Sequence, residues 1–154
     1  MAEPRGFQVD YSRLMARLKR GITELSGNAM QDVADYAAIK LESDSVQAFT
    51  RQAGPATGQR WKPSLRAKRQ HGQTLLDTGR LRRGVRAEGT AKGRKATVVG
   101  GTVPIVYAAI HQFGGQAGRN RAVTLPARPY VGLRAQTIEK IRAFIRTRCT
   151  GALT

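Results

Sequence analysis

The sequence predicts an α+β domain: helices at the amino end, a small antiparallel β-sheet with long loops, and a carboxy-terminal amphipathic helix. Three observations predict it. Apolar residues recur at helical spacing over residues 9–49, β-branched and aromatic stretches fill residues 95–133, and helical spacing returns over 135–148. The order helix, helix, loop, strands, helix lacks the alternation of a βαβ fold. A chain of 154 residues is long enough for one core, so a single domain over 1–154 is expected, with no internal repeat.

Each element has a local reason. Leu14, Leu18, Ile22 and Leu25 fall four, four and three apart, which predicts a first helix over 9–25. "SGN" at 26–28 breaks it, and Asn28 with Gln31 three residues on resembles a capping box. Met30, Val33, Ala37 and Leu41 then continue a second helix to about Phe49. Residues 53–72 read as a flexible basic loop whose one large apolar residue, Trp61, must bury its ring. "TLLDTGRLRRGV" (74–85) reads as a short helical turn leading into a strand, with Asp77 and Thr78 as cappers and Gly79 allowing the turn. "KATVVGG" (95–101) and "VPIVYAAIHQF" (103–113) read as two strands of a hairpin. "GGQAGRNRA" (114–122) reads as a second flexible basic loop. "VTLPARPYVGL" (123–133) is extended, because each proline holds the residue before it away from the helical region. Ile138, Ile141 and Ile145 make the apolar stripe of a last helix whose outer face is basic.

The net charge is +17, unevenly spread. Residues 1–44 hold seven acids and six bases; residues 45–154 hold 21 bases and only Asp77, Glu88 and Glu139 as acids. That asymmetry implies a polyanionic neighbour, either nucleic acid or an acidic protein surface. The expected contacts are Arg60, Lys62, Arg66, Lys68 and Arg69 in the first loop and Arg119 and Arg121 in the second. A single Cys149 cannot form an internal disulfide, the first residues lack the pattern of a secretory signal, and no apolar run is long enough to span a membrane. Those features fit assembly in a reducing cytoplasm and no membrane partner.

No enzymatic constellation is visible. His111 has only Tyr107 and Gln112 as polar neighbours in sequence, and carboxylates are scarce throughout this half. His71, His111 and Cys149 have no metal-ligand spacing, and a nuclease would need clustered acids to hold its metal. "GTAKGRK" (89–95) and "GGQAGRN" (114–120) do not match a phosphate-binding loop and do not lead from strand to helix. No catalytic residue, cofactor site or metal site is therefore expected. Recognition-helix and zinc-finger signatures are absent too, which leaves non-specific phosphate contact open.

"GQRWKPSL", "LLDTGRLRRGV", "VYAAIHQFGG" and "LPARPYVGL", in this order and with these gaps, resemble the signatures of the phage virion morphogenesis family, the tail-completion proteins of Mu-like and P2-like tailed bacteriophages. The resemblance covers roughly residues 28–145. It implies structural or interface roles for Trp61, Leu76, Thr78, Gly79 and Leu81. It also implies that Tyr107, Ala108, His111, Gln112, Phe113 and Gly114 end a sheet strand. Pro126, Arg128, Pro129, Tyr130 and Gly132 would then approach the last helix. Two departures stand out: Gly84 occupies a position where such proteins often carry Ser, and the segment after "YVGL" is basic where acids are common.

The resemblance implies a non-enzymatic structural virion protein at the head–tail junction. It would complete the tail as part of a ring, usually six-fold, around the DNA channel. Copies of itself, neck or connector proteins, tail tube or terminator proteins and genomic DNA would be its neighbours. The alternative function class is a non-specific nucleic-acid-binding protein.

Overall fold

The computed structural model describes residues 7–11, 27–93 and 95–151. Its order is β1 (Gln8–Asp10), α1 (Gly27–Arg51), α2 (Leu65–Gln70), α3 (Arg80–Arg83), β2 (Val85–Lys92), β3 (Lys95–Thr102), α4 (Ala108–Phe113), β4 (Gly115–Ala117), a 3-10 turn (Arg119–Arg121), β5 (Val123–Leu125) and α5 (Ala135–Gly151). Strands β1, β3 and β2 form one antiparallel sheet in that order, and β4 and β5 form a two-stranded ribbon. The α+β architecture with a carboxy-terminal helix is the one the sequence predicts.

Helix α1 organises the core. Met30, Val33, Ala37 and Leu41, three and four apart, and Ala48 and Phe49 two turns further on are buried in one cluster with Val85, Val98, Tyr130, Val131, Ile141 and Ile145. Helix α1 also covers the free edge of β2. Gln31 Oε1 accepts from Ala91 N (2.9 Å), Gln31 Nε2 donates to Gly89 O (3.0 Å), and Glu42 Oε2 accepts from Ala87 N (3.1 Å). Two side chains thereby satisfy an edge that would otherwise invite foreign strands. Gly89 is required there, because a Cβ would lie 2.3 Å from the carbonyl of Ala34. Helix α5 is held to α1 by the stacked rings of Tyr36 and Phe144 (4.3 Å) and by Asp32 with Arg148 (3.0 Å).

The segment 126–134 enters α5 through a buried ion pair. Asp44 accepts from Arg134 N (2.9 Å) and Nε (2.7 Å), with Arg134 Nη2 at 2.6 Å. Beside it, Gly132 N donates to Ser45 Oγ (3.1 Å).

Four expectations are corrected. The helix predicted over 9–25 does not begin at Val9: Val9 and Asp10 pair with Gly100 and Val99 of β3, and Tyr11 N donates to Val98 O. Residues 12–26 of that expectation lie outside the described residues. The hairpin joins 85–92 to 95–102, not 95–101 to 103–113. Residues 103–113 are a turn followed by helix α4, so Tyr107, Ala108, His111, Gln112, Phe113 and Gly114 do not end a strand. The reason is local: Pro104 has no N–H for a ladder, while Ala108 and Gln112, four apart, are buried together as one helical face. Asn28 lies within α1, and Gln31 serves β2 in place of a capping box.

Candidate functional site

The predicted motif segments meet around Trp61 and Gln112. Trp61 is 7% exposed, as its size demanded; its ring meets Phe49 edge-on and its Nε1 donates to Pro129 O (3.0 Å). Gln112 projects from α4 into the core and clasps the extended 126–134 segment. Its Oε1 accepts from Tyr130 N (2.9 Å) and Val131 N (3.0 Å), and its Nε2 donates to Val131 O (3.2 Å). Tyr130 OH donates to Ala108 O (3.3 Å), and the same ring packs on Phe49 and Phe7. Burial raises the Tyr130 hydroxyl well above its ordinary pKa, so it stays a neutral donor. Gly114, at φ 74, ends α4 by donating to Ile110 O (2.8 Å).

A cleft of about 390 Å³ opens on the other side of α4. Thr78, Gly79 and Leu81, ahead of β2, line it together with Tyr107, His111 and Arg128, and the charged Arg66, Asp77 and Arg80 line it too. Gly79 has φ 72, a left-handed turn that starts α3 and lets Leu81 point into the core. Leu76 is half-buried beside it and Thr78 is exposed. Arg128 is only 4% exposed; its backbone N donates to His111 O (2.8 Å) and its Nε to Lys62 O (2.8 Å). The His111 imidazole is held below its ordinary pKa by burial and, secondly, by the Arg128 guanidinium. Its Nδ1 is shielded from solvent and has no hydrogen-bond partner among the described residues. Burial also lowers Arg128 from its ordinary value.

The other predicted contact residues are scattered. Arg60, Lys62, Lys68, Arg69, Arg119 and Arg121 are exposed, while Arg66 is half-buried, donating to Gln73 O (2.7 Å) and lying 3.6 Å from Asp77. Pro126 is half-buried and Pro129 exposed; Phe113 is exposed but meets Phe7 edge-on (5.4 Å). Both predicted basic loops carry structure: α2 with its Ser64 cap in the first, β4 and the 3-10 turn in the second.

A second surface was not read from the sequence. A groove of about 950 Å³ runs between α1 and β2, lined by Asp35, Ile39, Glu42, Val46 and Glu88. Ile39 is 66% exposed. Asp35, Glu42 and Glu88 have no basic partner within ion-pair distance among the described residues. The available signal was the spacing of Asp35, Ile39 and Glu42, four and three apart on one face of a helix.

The arrangement offers binding surfaces and a stiff frame. Among the described residues, no three His, Cys, Asp or Glu side chains are grouped to hold a metal ion, and no helix is long and apolar enough to cross a membrane. A family model described as the phage virion morphogenesis family matches residues 9–149. The chain belongs to that family. It is 36% identical to the putative capsid assembly protein G of Escherichia phage Mu over 148 residues, 89% of this chain and 91% of the phage protein. It is 40% identical to the Mu-like prophage FluMu G protein 2 of Haemophilus influenzae over 96 residues, 62% of this chain and 61% of that protein. No solved structure matches it. This phage virion-morphogenesis chain is thus a structural or assembly protein associated with the virion.

Proposed function

We propose that this virion-morphogenesis protein acts at the head–tail junction, completing the tail and joining it to the head as one subunit of a ring around the DNA channel. A six-fold ring would match a tail tube. Its neighbours would be other copies, the connector or neck proteins, and the tail tube or terminator proteins, with genomic DNA as a non-specific contact. The supporting observation is the separation of charge. Subunits at +17 repel one another, and like charges across an interface cost several kcal/mol. The carboxylates of the α1–β2 groove, with no basic partner among the described residues, give a neighbouring copy's bases an opposite charge to meet. The exposed bases of 60–69 and 119–121 are free to face DNA or an acidic neighbour.

The test is a reconstruction of the neck of the phage particle that carries this chain. Ring density at the junction, with those loops toward DNA or protein, is expected. Absence of the chain from mature particles overturns the assignment. The other reading, a non-specific nucleic-acid binder, draws on the same net charge. It requires duplex binding at about 0.15 M salt by the free protein, falling steeply as salt rises.

A further inference from the structure

We infer that the cleft between the turn before β2 and helix α4 is a carboxylate-binding site that receives an acidic segment of another polypeptide. Arg128 is the reason. A charged side chain this buried is normally paired, because an uncompensated buried charge costs several kcal/mol. Here Nε is engaged by Lys62 O, yet the two Nη groups have no partner among the described residues, although Arg128 lines the cleft. The one acid in the cleft lining, Asp77, makes no ion pair with Arg128: it faces Arg66 at 3.6 Å and its side chain is largely exposed. The remaining lining adds charge of the same sign in Arg80, the Arg66–Asp77 pair, a hydroxyl in Tyr107, and His111, whose Nδ1 has no hydrogen-bond partner among the described residues. An arginine with a free pair of Nη donors is built for bidentate recognition of a carboxylate.

Shape selects the source of the anion. Duplex phosphates sit on a wide, stiff rod and cannot enter a 390 Å³ cleft to reach a side chain so covered. An Asp or Glu on an extended segment, or a chain end, can. The inference stands on this cleft alone and holds whether or not copies form a ring.

The experiment uses the full chain, isotope-labelled for NMR, at about 0.15 M salt. It is titrated in turn with an acetylated, amidated Asp-Glu-Asp-Glu peptide, sodium acetate, inorganic phosphate and a short DNA duplex. The peptide is expected to shift the Arg128 Nε–H, His111 ring and Thr78 resonances selectively, with acetate doing so more weakly. Arg128→Gln should weaken peptide binding about tenfold or more, the size of a lost charge-assisted pair. Should Arg128→Gln fail to fold, Arg80→Gln at the exposed rim should still weaken it about threefold. Lys92→Gln, outside the cleft, should leave it unchanged. No cleft shifts with the peptide, shifts spread evenly over the basic surface, or equal weakening by Lys92→Gln would each overturn the inference. So would a duplex that perturbs the cleft at lower concentration than the peptide, which would make the site a phosphate reader.

Discussion

At Gln112 a single side-chain amide does the work of a missing strand. The 126–134 segment is extended but pairs with no sheet, so its buried N–H groups need acceptors from elsewhere. Gln112 supplies one acceptor to two of them and donates back to Val131 O. Gln112→Leu keeps the volume and leaves those groups unsatisfied, which should cost roughly 3 kcal/mol or more at 1–3 kcal/mol per orphaned group. In a domain of this size that lowers Tm by roughly 6–12 °C in a thermal melt followed by circular dichroism. His111 gives a pH signature. Its folded pKa lies below the unfolded value of about 6.5, so the unfolded chain binds the proton first. Its contribution is fully present above about pH 6.5 and is lost as pH falls toward the folded value. His111→Gln cannot titrate, so its urea-unfolding free energy should fall less than the wild type's between pH 7 and 5. A parallel decline in both proteins would remove His111 from the account. The importance of both residues was visible in the motif; their partners were not, since those lie 17 to 19 residues away on a segment with no periodicity of its own.

Elements were legible where periodicity was long. Helices α1 and α5 carry their apolar stripes over several turns, and their observed spans lie within a few residues of those the spacing predicts. Residues 103–113 failed because the run is short and begins with Val103, Ile105 and Val106, whose branched side chains suit a strand. Yet Val106 is exposed and Ile105 buried in a turn that no alternation governs. Gly100 and Gly101 lie inside β3, where a Cβ on Gly101 would fall 1.9 Å from Phe7 O, just ahead of β1. Close packing of this kind leaves no trace in sequence pattern beyond the glycine itself. The α1–β2 contact makes the point testable. Gly89→Val must push the helix backbone off the strand and break the hydrogen bonds of Gln31 and Glu42 to the β2 edge. A loss of at least about 3 kcal/mol is expected in chemical denaturation, from overpacking with lost edge bonds. Thr90→Val, next door and outward-facing, should change stability by less than about 1 kcal/mol.

For the whole molecule the governing quantity is where the ten acids sit among 27 bases. Asp44 is consumed inside the fold by Arg134, and Asp32, Asp77 and Glu139 each face an arginine. What remains on α1 and β2 is a groove whose carboxylates have no basic partner among the described residues, around exposed Ile39. If copies associate through that groove, Glu88→Lys must weaken self-association, and the weakening must exceed what added charge does by itself. Glu139→Lys provides the comparison, since it changes net charge by the same amount on the outer face of α5, away from the groove. Sedimentation velocity at low salt should show the wild type and Glu139→Lys as the same oligomer and Glu88→Lys shifted toward monomer. Raising salt past about 0.5 M should loosen the wild type as well, because screening shortens the reach of partly exposed charges. Equal behaviour of the two variants would mean that repulsion is global and the groove faces solvent or a different protein. Duplex affinity separates the remaining cause: both variants add positive charge, so both should bind DNA slightly tighter, and only a protein contact can set them apart.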